Sequence, residues 1–250
     1  MRLAGKITLI TGGESGIGLA TAHRFVAEGA QVHIIGLDEG RLKDAVAELG
    51  AATSYAVADV TDEDAVRHAI ELGTARLGPL DVLLSNAGIS GALTPITDYP
   101  SDIFARTLAV HITGAFHVIK HGLPLMNDGG SIIITSSVAG LMGFAGACAY
   151  VAAKHGQVGL MRTVATEVAP RRIRVNSLHP GPTSTAFQDE IEMAATGLRR
   201  EQAAAAFDQL IPLGRHATVD EIAAAAVYLA SDESAFLTRT TVALDGGMRG

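Results

Sequence analysis

Short apolar runs alternate with longer helical patterns along the 250-residue chain. Several of these runs are nearly continuous in Val, Ile and Leu, which is typical of strands buried on both faces. The alternation predicts a single α/β domain, 1–250, with a doubly wound parallel sheet of about seven strands and helices on both faces. The predicted strands are 6–11, 31–36, 53–58, 80–84, 131–135, 173–177 and 240–244. The predicted helices lie near 17–28, 41–49, 62–77, 101–126, 149–169 and 219–230.

Two predicted helices begin with a capping signal. Thr218 is followed three residues later by Glu221, which is the capping-box pattern, and Thr61 with Asp64 gives a similar pattern. One segment, 182–215, interrupts the alternation with an alanine-rich helical pattern that contains no strand. Insertions at the carboxyl end of a sheet strand commonly cover a ligand, so we expect 182–215 to form a substrate lid.

Charge and composition exclude several classes of protein. The net charge of −7 argues against a nucleic-acid partner, which would need a basic stripe. The single cysteine, Cys148, cannot form an intramolecular disulfide, and no Cys-x-x-Cys metal spacing occurs. The N-terminal apolar stretch is too short for a signal sequence, and no later segment approaches a membrane span. We therefore expect a soluble protein of a reducing compartment, the cytoplasm.

A glycine-rich turn, TGGESGIG at 11–18, joins the first predicted strand to the first predicted helix. Glycine at 12, 16 and 18 permits a tight turn, a close approach of the backbone to a pyrophosphate and close packing of helix on strand. The helix start presents free N–H groups and a partial positive charge to an anion. Other nucleotide folds use similar turns, but the position after the first strand predicts a cofactor site.

Tyr150 and Lys154 are four residues apart, so they share one face of a helix, and Ser137 precedes them at the end of a predicted strand. A phenol with a pKa of about 10 can act as a base near neutral pH only if that pKa falls by two to three units. We expect the Lys154 ammonium group to lower it, and we expect an oxidised nicotinamide to add further positive potential. With Ser137 orienting a carbonyl, these groups suit hydride transfer between a nicotinamide and an alcohol or ketone.

The order of these motifs resembles that of the classical short-chain dehydrogenases/reductases over essentially the full length of the chain. The turn at 11–18 is similar to the family's TGxxxGxG, Ser85-Asn86-Ala87-Gly88 to its NNAG, and Tyr150-x-x-x-Lys154 to its YxxxK. Asp59-Val60 resembles its adenine-contacting Asp-Val, Pro180-Gly181 with Thr183 and Thr185 its nicotinamide-side loop, and Asp245-Gly246-Gly247 its C-terminal signature. The resemblance implies a Rossmann-type fold and an NAD(P)-dependent oxidoreductase that acts on CH–OH groups.

The resemblance also implies roles for individual residues. Tyr150 would take the alcohol proton or donate it in the reverse direction, Ser137 would hold the substrate oxygen, and Lys154 would contact the nicotinamide ribose. Family members are usually tetramers joined through two long helices, here 101–126 and 149–169, so we expect a homotetramer or a homodimer. The expected cofactor contacts are Gly12, Ser15, Gly16, Ile17, Gly18, Leu37, Asp38, Asp59, Val60, Asn86, Ala87, Gly88, Tyr150, Lys154, Pro180, Gly181, Thr183 and Thr185.

The choice between NAD and NADP depends on residues near the end of the second strand. In the family, an acidic residue there binds the ribose hydroxyls, whereas Arg there or in the glycine turn favours the 2′-phosphate. Here Gly36 stands at the usual acidic position, Asp38 comes two places late, and Glu14 and Leu37 occupy the two arginine positions. A carboxylate about 4 Å from a phosphate charge costs roughly 4 kcal/mol at an effective dielectric constant of 20, so NAD is favoured. Two alternatives stay open: Asp38 only caps the next helix, and Arg41 turns towards a phosphate.

One position departs from the family pattern. His111 stands where the family normally has Asn, a residue that helps kink the long helix and holds a water linking the lysine to solvent. We interpret His111 as a proton relay, because the usual pKa of histidine lies in the working range. The alternatives are a satisfied core histidine and impaired turnover. His111, His117 and His121 have no carboxylate partner of the HExxH type, so we expect no metal.

The leading hypothesis is therefore an NAD(H)-dependent oxidoreductase for a secondary alcohol or its ketone. The alternatives are an NADP(H)-dependent carbonyl reductase, a catalytically impaired dinucleotide-binding regulator and an S-adenosylmethionine-dependent transferase, which would have no use for Tyr150 and Lys154. We expect a modest, mainly apolar substrate, for which a ring fits, while acyl chains and sugars stay open as alternatives. Its expected wall consists of Ile89, Ser90, Leu93, Val138, Leu141, Met142 and Phe144, together with Phe187, Met193, Leu198 and Phe207 of the lid segment.

Overall fold

The computed structural model describes residues 1–249 and contains one sheet of seven parallel strands in the order β3-β2-β1-β4-β5-β6-β7. The strands are β1 (Ile7–Thr11), β2 (Gln31–Gly36), β3 (Thr53–Val57), β4 (Leu80–Ser85), β5 (Met126–Thr135), β6 (Arg174–Pro180) and β7 (Thr241–Leu244). The helices are α1 (Gly16–Ala27), α2 (Glu39–Leu49), α3 (Glu63–Leu77), α4 (Ser101–Leu108), α5 (Gly114–Gly122), α6 (Cys148–Val168), α7 (Ala186–Thr196), α8 (Arg200–Asp208) and α9 (Val219–Ala230).

Helices cover both faces of the sheet, so the predicted α/β fold class is confirmed. Apolar residues of the strands pack against α3, α5 and α6 on one face and against α1, α2 and α9 on the other, which gives two buried clusters. Strand order reverses beside β1, whose neighbours are β2 and β4. The carboxyl ends of β1 and β4 therefore border a crevice, which is where ligands bind in open α/β sheets.

The prediction of one continuous helix over 101–126 is wrong. The structure divides it into α4, a π-helical turn at Ala109–Thr113 and α5, and β5 already begins at Met126. Inserting one residue per turn rotates the following helix, and such π turns are frequent at functional sites. No helix within residues 1–249 is long and apolar enough to cross a membrane.

One of the two predicted caps is also wrong. Thr218 and Glu221 form the full capping box at the start of α9, as predicted. At α3, however, Asp62 is the capping residue, and its carboxylate accepts a hydrogen bond from the backbone N–H of Ala65 at 3.0 Å. The hydroxyl of Thr61 instead donates to Asp59 at 2.8 Å. A stronger acceptor one residue later thus caps the helix.

Candidate active site

Three predicted catalytic side chains meet in a cleft at the carboxyl edge of the sheet. Ser137 follows β5, and its Oγ accepts a hydrogen bond from the backbone N–H of Ala139 at 3.1 Å, which starts a short 3-10 turn. Tyr150 and Lys154 lie one turn apart on α6, with the Lys154 Nζ 5.3 Å from the centre of the Tyr150 ring. All three line a cavity of about 260 Å³.

Burial decides the protonation of Tyr150 and Lys154. The Nζ of Lys154 donates to the backbone carbonyl of Thr135 at 2.9 Å, and burial lowers the pKa of Lys154 to about 7. Burial also raises the pKa of Tyr150 to about 12, although the neighbouring Ser137 hydroxyl acts in the opposite direction. Lys154 is not among the groups that shift the pKa of Tyr150 in the chain itself, so the lowering expected from Lys154 together with an oxidised nicotinamide stays a prediction. In the chain itself, burial therefore favours the neutral forms of both side chains.

The glycine turn leaves the start of α1 free for an anion. Helix α1 has no side-chain cap and no acidic residue in its first turn, whereas α2, α3, α7 and α9 are each capped by a side chain. Its first N–H groups and the positive end of its dipole are therefore available to a phosphate. A Cβ at position 18 would overlap the carbonyl oxygen of Gly12, so only glycine there lets α1 approach the turn this closely. The residues present fit a dinucleotide.

Most of the predicted cofactor residues line this cleft. They are Gly12, Ser15, Gly16, Ile17, Leu37, Asp59, Val60, Asn86, Ala87, Gly88, Tyr150, Lys154, Pro180, Gly181, Thr183 and Thr185. Gly18 stands behind the turn, and Asp38 does not border the cleft. Three polar atoms that are shielded from water on the walls, Glu14 Oε2, His111 Nδ1 and Thr135 Oγ1, have no hydrogen-bond partner within residues 1–249. Such atoms are expected where a ligand supplies the partners.

Comparison with known proteins agrees with this geometry. A family model described as enoyl-(acyl carrier protein) reductase matches residues 12–249. The chain is 41% identical over 256 residues to trans-4-hydroxycyclohexanecarboxylate dehydrogenase from Sinomonas cyclohexanicum, which covers 98% of this chain and 93% of that protein. The crystal structure of levodione reductase matches with a TM-score of 0.95 at 34% identity over 99% of both chains. The chain belongs to the short-chain dehydrogenase/reductase family.

Other members of this family differ in the cofactor that their names state. A 2-dehydro-3-deoxy-L-rhamnonate dehydrogenase (NAD(+)) from Sphingomonas sp. is 34% identical over 248 residues, which are 98% of this chain and 96% of that protein. A blue fluorescent protein from a metagenomic library, solved in complex with NADPH, matches with a TM-score of 0.91 at 31% identity over 100% of both chains. Family membership therefore indicates an oxidoreductase that binds a nicotinamide dinucleotide, and it leaves the choice of dinucleotide open.

His111 departs from the family pattern in its chemistry as well as in its identity. It lies in the π turn, is 1% exposed, and its Nε2 is 2.7 Å from the carbonyl oxygen of Ile89. Burial, with a further contribution from Lys154, lowers the pKa of His111 to about 3. The prediction of a relay whose pKa lies in the working range is therefore wrong, because the ring stays neutral. Its backbone carbonyl accepts a hydrogen bond from Gln157 at 3.0 Å, so this turn is fixed to α6.

The other two histidines of the metal hypothesis have protein partners. The Nδ1 of His117 is 3.0 Å from the carbonyl oxygen of Val60, and the Nε2 of His121 is 3.0 Å from Glu63. Within residues 1–249, no group of three histidine, cysteine or acidic side chains is placed to hold a metal ion.

Asp59 is held by the protein on both of its oxygens. The Oδ1 accepts hydrogen bonds from the backbone and hydroxyl of Thr61 at 2.9 and 2.8 Å, and Oδ2 is 2.9 Å from Arg106. Arg106 also lines the cleft, and the sequence reasoning did not single it out. No clear sign of this contact stands in the sequence, because nothing in the chain order shows that the last turn of α4 lies beside the end of β3.

A second cavity, of about 180 Å³, adjoins the cleft and shares Ser137, Tyr150, Gly181 and Gln188 with it. Of the predicted substrate wall, Ser90, Leu93, Val138, Phe144 and Phe207 line this cavity. Ile89 and Phe187 line the cofactor cleft instead, whereas Leu141, Met142, Met193 and Leu198 border neither cavity. The sequence reasoning missed Ala139, Ala145, Ala147, Pro182, Gln188, Ile191, Ala195 and Met248. No Asp, Glu, Lys or Arg is among its lining residues.

Proposed function

We propose that the protein is an NAD(H)-dependent oxidoreductase that interconverts an uncharged, mainly apolar secondary alcohol and its ketone, with Tyr150 as general acid and base. The observation that carries the proposal is the position of Ser137 and Tyr150. These two side chains form part of the wall of both the polar dinucleotide cleft and the apolar cavity. A reacting carbon in the apolar cavity and a nicotinamide in the cleft would therefore meet beside a hydroxyl and a phenol.

Each side chain then has a distinct task. Ser137 orients the substrate oxygen, and Tyr150 transfers the proton to or from that oxygen. Lys154, anchored on Thr135, lies against the phenol ring and would contact the nicotinamide ribose. A bound nicotinamide would supply the hydride acceptor or donor for the substrate carbon, and in its oxidised form it would supply a positive charge. Because the chain itself keeps Tyr150 protonated, the phenol is ready to donate in ketone reduction, and it becomes a base when positive charge is added.

The lining of the apolar cavity supports an uncharged substrate. An ionised carboxylate would enter a cavity without a cationic side chain, and its lost hydration would not be replaced. The volume suits a compact ring. We further propose that residues 182–215, which hold α7 and α8, act as the substrate lid, since Gln188, Ile191 and Phe207 form one wall of the cavity.

Turnover of a panel of alcohols tests the proposal. The purified chain is incubated with NAD⁺ and cyclohexanol, substituted cyclohexanols, trans-4-hydroxycyclohexanecarboxylate and linear secondary alcohols, and absorbance at 340 nm is followed. We expect turnover of the neutral cyclic alcohols and at least about tenfold lower kcat/KM for the carboxylate, because one unpaired buried charge costs more than 1.4 kcal/mol. Turnover of the carboxylate alone would contradict the proposed substrate class.

The same assay separates this enzyme from a dinucleotide-binding regulator without turnover. A regulator would bind NAD⁺ or NADP⁺ yet give no signal at 340 nm with any alcohol or ketone. An NADP(H)-dependent carbonyl reductase would show the same chemistry with the other dinucleotide.

Location and assembly are part of the proposal. We propose the cytoplasm because the chain has a single cysteine and no disulfide. We propose a homotetramer or homodimer through α6, where Ala152 and Gly159 lie on an exposed strip that would allow a second helix to approach closely. Ala149 and Ala153 of the same helix are buried within the chain.

A further inference from the structure

The carboxylate of Glu14 occupies the space that a side chain at position 36 would fill. A Cβ built on Gly36 would overlap the carboxyl group of Glu14. The glycine turn lies flat on β2, since a Cβ at Gly13 would come within 2.6 Å of the Ile34 side chain. This close contact carries Glu14 across the end of β2. The turn and the strand end are thus complementary: one supplies a long acidic side chain, and the other lacks any side chain.

The Glu14 carboxylate lies at the wall of the cleft, and only one of its two oxygens accepts a hydrogen bond from the protein. Its Oε1 accepts a hydrogen bond from the backbone N–H of Leu37 at 3.1 Å. Its Oε2 is shielded from water and has no hydrogen-bond partner within residues 1–249. Glu14, Gly36, Leu37 and Asp59 all line the cleft, and we call this part of it the adenosine end. A carboxylate oxygen without a donor is unfavourable when shielded from water, so a turn of the Glu14 side chain that brings Oε2 to the hydroxyl groups of a ligand in the cleft would be stabilised.

Asp38, the other acidic candidate, is engaged elsewhere. It caps α2, and its Oδ1 accepts a hydrogen bond from the backbone N–H of Arg41 at 3.1 Å. Its Oδ2 is 3.6 Å from the Arg41 guanidinium, and the residue does not line the cleft. The open alternative that Asp38 caps the next helix is therefore the one the structure shows. Arg41 is held by the same carboxylate and also lies outside the cleft lining.

We propose that Glu14, packed on Gly36, is the carboxylate that accepts hydrogen bonds from the 2′ and 3′ hydroxyls of the adenosine ribose and that excludes a 2′-phosphate. The assignment rests on the proposed NAD(H) dependence and names the residue that produces it. A ribose supplies the donors that Oε2 lacks. A 2′-phosphate would bring two further negative charges against the carboxylate, with no arginine or lysine other than Arg106 and Lys154 among the lining residues.

Equilibrium binding of the two dinucleotides tests this assignment without turnover. Calorimetric titration of the full chain with NAD⁺ and NADP⁺ gives the ratio of the two Kd values. We expect the wild type to prefer NAD⁺ by about a hundredfold. Glu14→Gln removes the charge and keeps the side-chain shape, so we expect the ratio to fall by about tenfold or more, the range for losing one charge-assisted hydrogen bond.

Four further variants make the result specific. Glu39→Gln removes an equally negative, exposed side chain that pairs with Lys43 outside the cleft, and we expect the wild-type ratio. Asp38→Asn should also leave the ratio within about threefold of the wild type while weakening α2. The double substitution Glu14→Ala with Gly36→Asp moves the carboxylate to the strand end, and we expect it to restore at least a tenfold preference for NAD⁺. Gly36→Asp alone should weaken binding of both dinucleotides, because the two side chains overlap.

The outcomes separate this assignment from the proposed function. A wild type that prefers NADP⁺, or binds neither dinucleotide, would overturn the proposed function and the assignment together. A wild-type preference for NAD⁺ that survives in Glu14→Gln, or that disappears in Asp38→Asn, would overturn only the assignment to Glu14. If Glu14→Gln fails to fold by circular dichroism, the double variant decides: loss of its NAD⁺ preference would overturn the assignment.

Discussion

The two ends of the cofactor cleft are built in different ways. At the catalytic end, Tyr150 and Lys154 come from neighbouring turns of one helix, so their spacing along the chain already places them together. At the adenosine end, Glu14 belongs to the turn after β1, and the space it fills belongs to the end of β2. A motif carried by one helix can therefore be found in a sequence. A side chain of one element that fills a space beside another element becomes visible only in the fold.

The largest effect is expected at the catalytic end. Tyr150→Phe removes the proton-transferring hydroxyl and keeps the ring, so we expect kcat/KM to fall by about 10²- to 10⁴-fold. The Kd for the dinucleotide should change by less than about threefold, which separates this end from the adenosine end. Tyr228→Phe, at a half-exposed tyrosine of α9, is the matched control and should retain activity. Equal losses in the two variants would contradict the role of Tyr150.

Acid should destabilise the catalytic end through a buried histidine. His179 is fully buried between Ser137 and Ser177, and burial lowers its pKa to about 4. The unfolded chain, with a histidine pKa of about 6.5, therefore takes up this proton first, so the stabilisation is complete above pH ~6.5 and lost as pH falls towards 4. The loss is about 3 kcal/mol at most. Urea unfolding at several pH values should show it, with a smaller loss in His179→Gln.

Adding one methyl group to the glycine turn should weaken dinucleotide binding and destabilise the fold. Gly18→Ala places a Cβ on the carbonyl oxygen of Gly12, so the turn must shift away from α1. We expect the dinucleotide Kd to rise by at least tenfold and the free energy of unfolding to fall by about 1–3 kcal/mol. Gly143→Ala, at an exposed glycine with open space around it, is the control. A Gly18→Ala protein with wild-type Kd would show that this close approach is unimportant.

The smallest effect is expected at His111. His111→Asn restores the family residue at the π turn, and we expect kcat/KM within about threefold of the wild type, because the backbone carbonyl that Gln157 holds is retained. The profile of kcat/KM against pH should keep its shape, since a ring with a pKa of about 3 does not titrate in the working range. Disappearance of an inflection between pH 6 and 8 in this variant would restore the relay interpretation.

The sequence predicted the sheet because its strands are short, apolar and separated by amphipathic helices, a pattern that burial on both faces requires. Thr218 and Glu221 were found because both halves of the capping box are close in the chain. Asp62 was overlooked in favour of Thr61 because two adjacent residues can cap and only the backbone geometry decides between them. The π turn gave no signal in the apolar pattern, since α4 and α5 continue nearly the same stripe.

In the candidate site too, residues of local motifs were predicted, and contacts between distant parts of the chain were not. Residues of the glycine turn, the Ser85–Gly88 segment and α6 were placed in the cleft from their motifs, and the cavity contains them. The effect of burial on the pKa values of Tyr150 and His111 was not predicted, because distance along a helix shows which charges are near but does not show how much water has been removed. Gln188 and Met248 reach the apolar cavity from distant parts of the chain, which no local pattern indicates.

The central claim is that the chain keeps Tyr150 protonated and that positive charge brought by the oxidised cofactor makes it a base. With only four tyrosines in the chain, the difference in absorbance at 295 nm between wild type and Tyr150→Phe isolates this phenol during a pH titration. We predict no ionisation of Tyr150 below pH ~10 in the protein alone and a midpoint lower by about four units, near pH ~8, with saturating NAD⁺. A midpoint near pH 7 in the protein alone, or one that NAD⁺ leaves unchanged, would contradict the account.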